Sequence, residues 1–178
     1  MNDRGVSDLS RAADNLMERE LYEQQLSASD STVVRKTDNE ALDWTTKYGW
    51  FVDFDTQAGE RVVSSPSVEG DYVVFPTNIP VADDPCGGGG ASFIMALEID
   101  GSTDPAKSII DVNNDGQLDG VDAGWSGVYF GTLITGTKRI DDWLFGAGSD
   151  GSKEKVKTDF GSNNMGARRA SWREVIPE

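Results

Sequence analysis

Histidine is absent from this sequence. Its absence removes the Ser-His-Asp triad, the Cys-His pair, histidine-ligated zinc and any HExxH site. Cysteine occurs once, as Cys86, so no disulfide can close within the chain. Cys86 is read either as a small buried hydrophobe or as a partner for a cysteine outside this sequence. No apolar run is long enough to span a bilayer. The start, Met1-Asn2-Asp3-Arg4-Gly5, carries no apolar signal region, so an export signal is expected on a longer parent chain. Basic residues are few: 16 Lys and Arg stand against 31 Asp and Glu, for a formal net charge of −15. That balance argues against nucleic acid or an anionic membrane as partner, and suits a secreted protein that meets divalent cations. A length of 178 residues is enough for one domain or one piece of a larger one. Glycine, at 20 residues, favours turns and strands over long helices.

What is present in strength is one acidic stretch, Asp111-Val112-Asn113-Asn114-Asp115-Gly116-Gln117-Leu118-Asp119-Gly120-Val121-Asp122. Oxygen-bearing side chains stand at loop positions one, three, five, nine and twelve: Asp111, Asn113, Asp115, Asp119 and Asp122. Gly116 occupies position six, where the chain must turn sharply, and Gln117 offers its backbone carbonyl at position seven. Ca²⁺ is a hard cation that takes six to eight oxygens at about 2.3–2.6 Å, and alternate residues of a tightly wound loop can supply them. The same residues also make an acidic Asx-rich turn, since Asn-Asp-Gly is a turn signal by itself. The regular spacing favours the metal. Position twelve is Asp122, not the bidentate Glu of a tight EF-hand. The expected affinity is therefore that of extracellular modules, about 10⁻⁵ to 10⁻³ M. Spacing leaves open whether the loop closes at Asp119 or at Asp122.

Around that loop the pattern predicts an all-β antiparallel meander. Residues 48–53 alternate around Tyr48, Trp50 and Val52. Residues 61–63, 67–68, 71–77 and 92–99 follow as strands, with Glu69-Gly70-Asp71 as a tight turn. Pro66 and Pro76 fit strand ends better than a sheet centre. Residues 83–91, with Gly87 to Gly90, read as a loop; no Lys-Ser/Thr follows, so it is not a P-loop. Residues 127–133, 142–145, 153–158 and 171–175 are weaker strands. Residues 1–19 are a polar segment, expected to be partly helical or disordered. Leu9, Ala12, Ala13, Leu16 and Met17 sit there at helical spacing. Residues 20–26 favour helix on propensity alone.

Residues 64–75 followed by 93–98, closing on Ala96-Leu97-Glu98, resemble one blade of a quinoprotein-type β-propeller. Gly148-Ser149-Asp150-Gly151 ahead of Lys155-Val156-Lys157 resembles the turn of a second, incomplete blade. A longer order of motifs is more specific. It runs Glu20-Leu21-Tyr22-Glu23-Gln24-Gln25-Leu26, Leu42-Asp43-Trp44, Tyr48-Gly49-Trp50-Phe51-Val52-Asp53 and Gly59-Glu60-Arg61-Val62-Val63. Asp83-Asp84-Pro85-Cys86-Gly87-Gly88-Gly89, the loop at Asp111 and Arg169-Ala170-Ser171-Trp172-Arg173-Glu174 complete it. In this order the motifs resemble the C-terminal end of the PilY-type proteins, the type IV pilus assembly and tip-adhesin family.

The resemblance implies a strand, not a helix, at residues 20–26. It makes residues 20–178 the closing blades of a propeller whose remainder lies on a longer chain. It also implies Ca²⁺ at the 111–122 loop, a place at the bacterial surface, and minor pilins and the pilus machinery as partners. A host or surface ligand is a further implied partner. Two other classes compete. A dockerin-like or EF-hand module would use the same loop but needs a helix directly after it. Gly120, Gly124 and Gly127 stand there instead, each costing about 1 kcal/mol in a helix relative to Ala. An acidic secreted hydrolase would use pairs such as Asp141 and Asp142 or Asp53 and Asp55, groups that are more often solvated surface carboxylates. Trp50, Phe51, Trp125, Trp143 and Trp172 are candidates for a sugar platform or, more commonly, for packing. No catalytic residue is expected.

Overall fold

The structure is a computed structural model and describes residues 14–27, 30–81 and 89–161. The expectations for Leu9, Ala12 and Ala13, for Cys86, for residues 171–175 and for Trp172 lie outside that range. Eleven strands follow one another among the described residues: β1 (Leu16–Arg19), β2 (Leu21–Ser27), β3 (Asp30–Thr37), β4 (Gly49–Val52), β5 (Ser67–Glu69), β6 (Tyr72–Pro80), β7 (Gly90–Glu98), β8 (Gly127–Phe130), β9 (Ile134–Ile140), β10 (Trp143–Gly148) and β11 (Lys153–Lys157). None of the described residues is helical. The helical spacing that ran through Leu16 and Met17 therefore did not hold there. Those residues extend and pair in parallel with β4, Leu16 opposite Gly49 and Arg19 opposite Val52. Tertiary pairing overrides a weak local preference. The strand implied at residues 20–26 is β2.

Six strands form one sheet in the order β2-β3-β8-β7-β6-β5, and three form a second in the order β11-β10-β9. All pairings within these two sheets are antiparallel. The sheets do not close on themselves among the described residues. The centre of the six-stranded sheet is buried on both faces. On one face Val34, Val74, Ile94, Ala96 and Val128 meet Leu144 and Val156 of the smaller sheet, together with Ile109, Ile110 and Val112. On the other, Phe75, Phe93, Met95 and Leu97 pack under Trp50 and Phe54. Successive side chains of a strand point to opposite faces, so β7 feeds both cores and its residues 91–97 are all buried.

Pro76 lies inside β6, opposite Ile94, and not at a strand end as its chemistry suggested. The reason is local. β5 covers β6 only from Tyr72 to Val74. Beyond that, Asn78 turns its N–H and carbonyl outward to Arg61, at 2.8 and 3.0 Å. Pro76, two residues earlier, faces the same outer edge, where a missing N–H costs no ladder bond. Residues 61–63 contribute only this bridge at Arg61, not a strand. β9 was not anticipated: its Thr, Gly, Lys and Arg content hides a strand that buries only Ile134 fully.

Two buried arginines tie the layers. Arg35 on β3 lies with its guanidinium 3.5 Å from the centre of the Phe93 ring. It donates to Glu23 at 2.6 and 2.9 Å, to Glu60 at 2.5 and 2.8 Å and to Thr56 at 3.0 Å. Arg19 donates to the Asp100 carbonyl, to Asp38 and to the Glu40 carbonyl at 2.7–3.1 Å. Opposite Arg35, a Cβ at Gly127 would stand 2.4 Å from Met95 Sδ and 3.1 Å from Arg35 Cβ, so a side chain there requires Met95 to move.

Candidate metal centre

The acidic loop lies between β7 and β8, two neighbours in the same sheet. Its entrance is fixed by burial and by the smaller sheet. Ile109, Ile110 and Val112 are in the core. Ile110 bridges to Thr158, the Asp111 N–H donates to the Lys157 carbonyl at 2.9 Å, and the Asp159 N–H donates to the Ile109 carbonyl at 3.0 Å. The loop therefore begins as a short added strand on the outer edge of β11.

From Asp111 the side chains wind the backbone around themselves. The Asp111 carboxylate, 1% exposed, accepts from the N–H of Asp115 at 3.3 Å and of Gly116 at 2.8 Å. Asn113 Oδ1 accepts from the Asp115 N–H at 3.1 Å, and Asp115 Oδ1 accepts from the Gln117 N–H at 2.8 Å. Asp119 Oδ1 accepts from the Val121 N–H at 2.8 Å. Asn114 and Gly116 have φ of +57° and +82°, the left-handed turn that Asn and Gly tolerate best. The Gly116 carbonyl accepts from Lys157 Nζ at 2.8 Å, and the Asp119 carbonyl from the Ser108 hydroxyl.

Asp122 has a role that spacing did not reveal. It is fully buried, and both of its oxygens are engaged. Oδ1 accepts from the Val112 N–H at 2.8 Å and Oδ2 from the Asp119 N–H at 2.9 Å. Its carboxylate staples the loop's entrance to its exit. Burial pushes its pKa up, the two N–H donors pull it down, and the Asp111 and Asp119 charges raise it further. In the sequence Asp122 stands out only as the twelfth position of the loop. Lys157 and Ser108 were likewise not foreseen, because only the fold brings them to the loop.

The donor chemistry fits a hard cation: every side chain offered is an oxygen donor. The winding also fits, since positions one, three and five are turned about one bend. Among the described residues no three acidic side chains are grouped closely enough to hold an ion by themselves. Carboxylate oxygens that now face loop N–H groups, and the contact of Asn113 Nδ2 with Asp115 Oδ2 at 3.0 Å, would have to rearrange around a cation. After the loop, residues 120–124 form a turn and the chain enters β8 without a helix, so the helix that an EF-hand or dockerin needs is missing here. The carboxylate pairs considered for hydrolysis sit elsewhere. Asp141 is in a turn with φ +53°, and the Asp142 carbonyl accepts from the Thr158 N–H.

No protein-family model matches the chain. A type IV pilus biogenesis factor, a PilY1 homolog from Xylella fastidiosa, is 32% identical over 85 residues, covering 44% of this chain and 6% of that protein. The crystal structure of the Pseudomonas aeruginosa PilY1 C-terminal domain superposes with a TM-score of 0.61 over 86% of this chain and 33% of that one, at 16% identity. This chain resembles the C-terminal region of the PilY-type proteins. The PilY-type fold is thus matched over most of the chain, whereas the curated relative shares sequence with under half of it. The chain spans only a small fraction of that relative and about a third of the solved domain.

Proposed function

We propose that this chain is a calcium-binding surface module of a type IV pilus biogenesis and tip-adhesin protein. In this reading it is part of a larger β-propeller and acts in pilus assembly, extension–retraction control and adhesion at the bacterial surface. Minor pilins and the pilus machinery are its partners, with a host or surface ligand as a further one. The observation that carries the reading is the 111–122 loop, wound on its own Asx side chains and tied to both sheets in a fold like that of the PilY1 C-terminal domain.

Asp111, Asn113, Asp115, the Gln117 carbonyl and Asp119 hold Ca²⁺ in this account. The ion supplies positive charge and a fixed centre for the oxygens. The chain's own contribution is to present them: the pairing of Asp111 with β11 sets where the loop starts, and the Asp122 staple sets where it ends. Because the loop joins the two sheets, ordering it stiffens the layer contact, which connects the ion to the surface the module presents.

Calorimetric titration of the chain with Ca²⁺ tests this. Binding with a Kd of about 10⁻⁵ to 10⁻³ M is expected. Asp111→Ala or Asp115→Ala should remove most of it. Asp122→Ala separates closure at Asp119, where binding persists on a less stable chain, from closure at Asp122, where it vanishes. Absence of binding heat at millimolar Ca²⁺ makes the loop an acidic turn and removes the metal from the function.

A further inference from the structure

The outer face of the three-stranded sheet has a composition unlike the rest of the chain. Its inner face is core, with Leu144 and Val156 at 0 and 1% exposure. The register puts Trp143, Phe145 and Ala147 on the outer face, opposite Lys157, Lys155 and Lys153 on β11. On β9, Ile140 stands opposite Trp143 and Lys138 opposite Phe145. Four of the seven lysines of the sequence therefore lie on one small sheet, in a chain of net charge −15. The other three are engaged elsewhere: Lys47 with Asp14 at 2.7 Å, Lys107 with Glu98 at 2.6 Å, and Lys36 over Trp125 at 5.1 Å. Among the described residues no ion pair holds any of the four on the sheet. Lys157 reaches the Gly116 carbonyl, and Lys155 lies 4.4 Å from the Trp143 ring centre.

Between the lysines the face is apolar. Gly136, Phe145 and Ala147 floor a shallow open groove of about 360 Å³, with Lys138 and Lys153 at its margins. Phe145 is 37% and Ile140 58% exposed. A second sheet packed here would strand uncompensated ammonium groups, which is costly. The lysines call for an anion, and the exposed ring calls for a flat apolar surface between the anionic groups. Lysines on alternate residues of β11 are spaced by about 7 Å, so they form a row that meets several charges along an extended polymer and not one small anion.

We propose that this face binds an acidic polysaccharide, with a sugar ring resting on Phe145 and its carboxylates paired to Lys138, Lys153 and Lys155. The site is separate from the calcium loop and does not depend on that reading.

The test is titration of the chain with a galacturonic acid oligomer in EDTA, which removes Ca²⁺ from protein and polyuronate alike. Binding is expected, and it should weaken as ionic strength rises from about 0.01 to 0.15 M, where the screening length contracts from about 30 to 8 Å. Phe145→Ala should lower affinity by about tenfold, part of the contribution of a stacked aromatic. A double change, Lys138→Ser with Lys153→Ser, should weaken binding and flatten its salt dependence while leaving the melting temperature unchanged. A neutral glucan oligomer should not bind. The proposal is overturned by any of four results: no binding of the galacturonate oligomer, wild-type affinity in the lysine variant, equal binding of the neutral glucan, or tighter binding of single-stranded DNA or phosphatidylglycerol vesicles.

Discussion

β7 and β10 are neighbouring layers of one molecule with opposite surroundings. Residues 91–97 of β7 are buried on both faces, and the sequence there, Ala-Ser-Phe-Ile-Met-Ala-Leu, is nearly continuous in apolar residues. In β10, Leu144 and Gly146 are buried while Phe145 and Ala147 are exposed. A strand with cores on both sides must be apolar throughout, whereas a strand with one core alternates. The difference shows where this chain can accept change. In β7 residues 91–97 are all packed, whereas Phe145 and Ala147 of β10 and Lys153 and Lys155 of β11 are exposed at alternate positions.

The largest test of that contrast removes charge from the doubly covered sheet. Glu60→Ala should cost about 3–5 kcal/mol, because it leaves the fully buried Arg35 short of a carboxylate. Denaturant unfolding would measure it, and a cost below 1 kcal/mol would mean that Glu23 alone satisfies the guanidinium. Adjacent residues then probe the two faces. Phe93→Ala and Ile94→Ala should each cost about 2–5 kcal/mol, since each empties a different core. If only one does, β7 is packed on one face alone. Next in size is the ion. Ca²⁺ at a hundredfold excess over Kd should add about 2.7 kcal/mol to the wild-type chain and almost nothing to Asp111→Ala, as seen by melting with and without EDTA. The smallest effect is expected on the outer face. Phe145→Ala should cost less than about 1.5 kcal/mol, below the range for full burial of a large side chain, whereas neighbouring Leu144→Ala should cost about 2–5 kcal/mol. Equal losses would show that the outer face is covered in solution.

Legibility followed the strength of local signals. The 67–99 region was readable because apolar runs and the Glu69-Gly70-Asp71 turn coincide there, Gly70 having φ +62°. The loop was readable because its oxygens recur at fixed steps, and Asp111, Asn113 and Asp115 do wind the turn. Leu16–Arg19 was misread because four residues carry little periodicity, and their partner lies more than thirty residues away in β4. β9 was missed because half-exposed strands accept polar residues. Pro76 was misplaced because edge status depends on where β5 stops.

The sequence by itself determined the all-β character, the most apolar strand and the position of the acidic loop, because each rests on short-range spacing. Only the tertiary structure decided that Arg35 and Arg19 are buried, that Asp122 staples the loop and that Lys157 reaches it. It alone gathered four lysines on the sheet that carries Phe145. A buried charge is stable only where partners distant in sequence surround it, and a shared surface exists only once strands are in register. Neither condition can be read from residues that are neighbours along the chain.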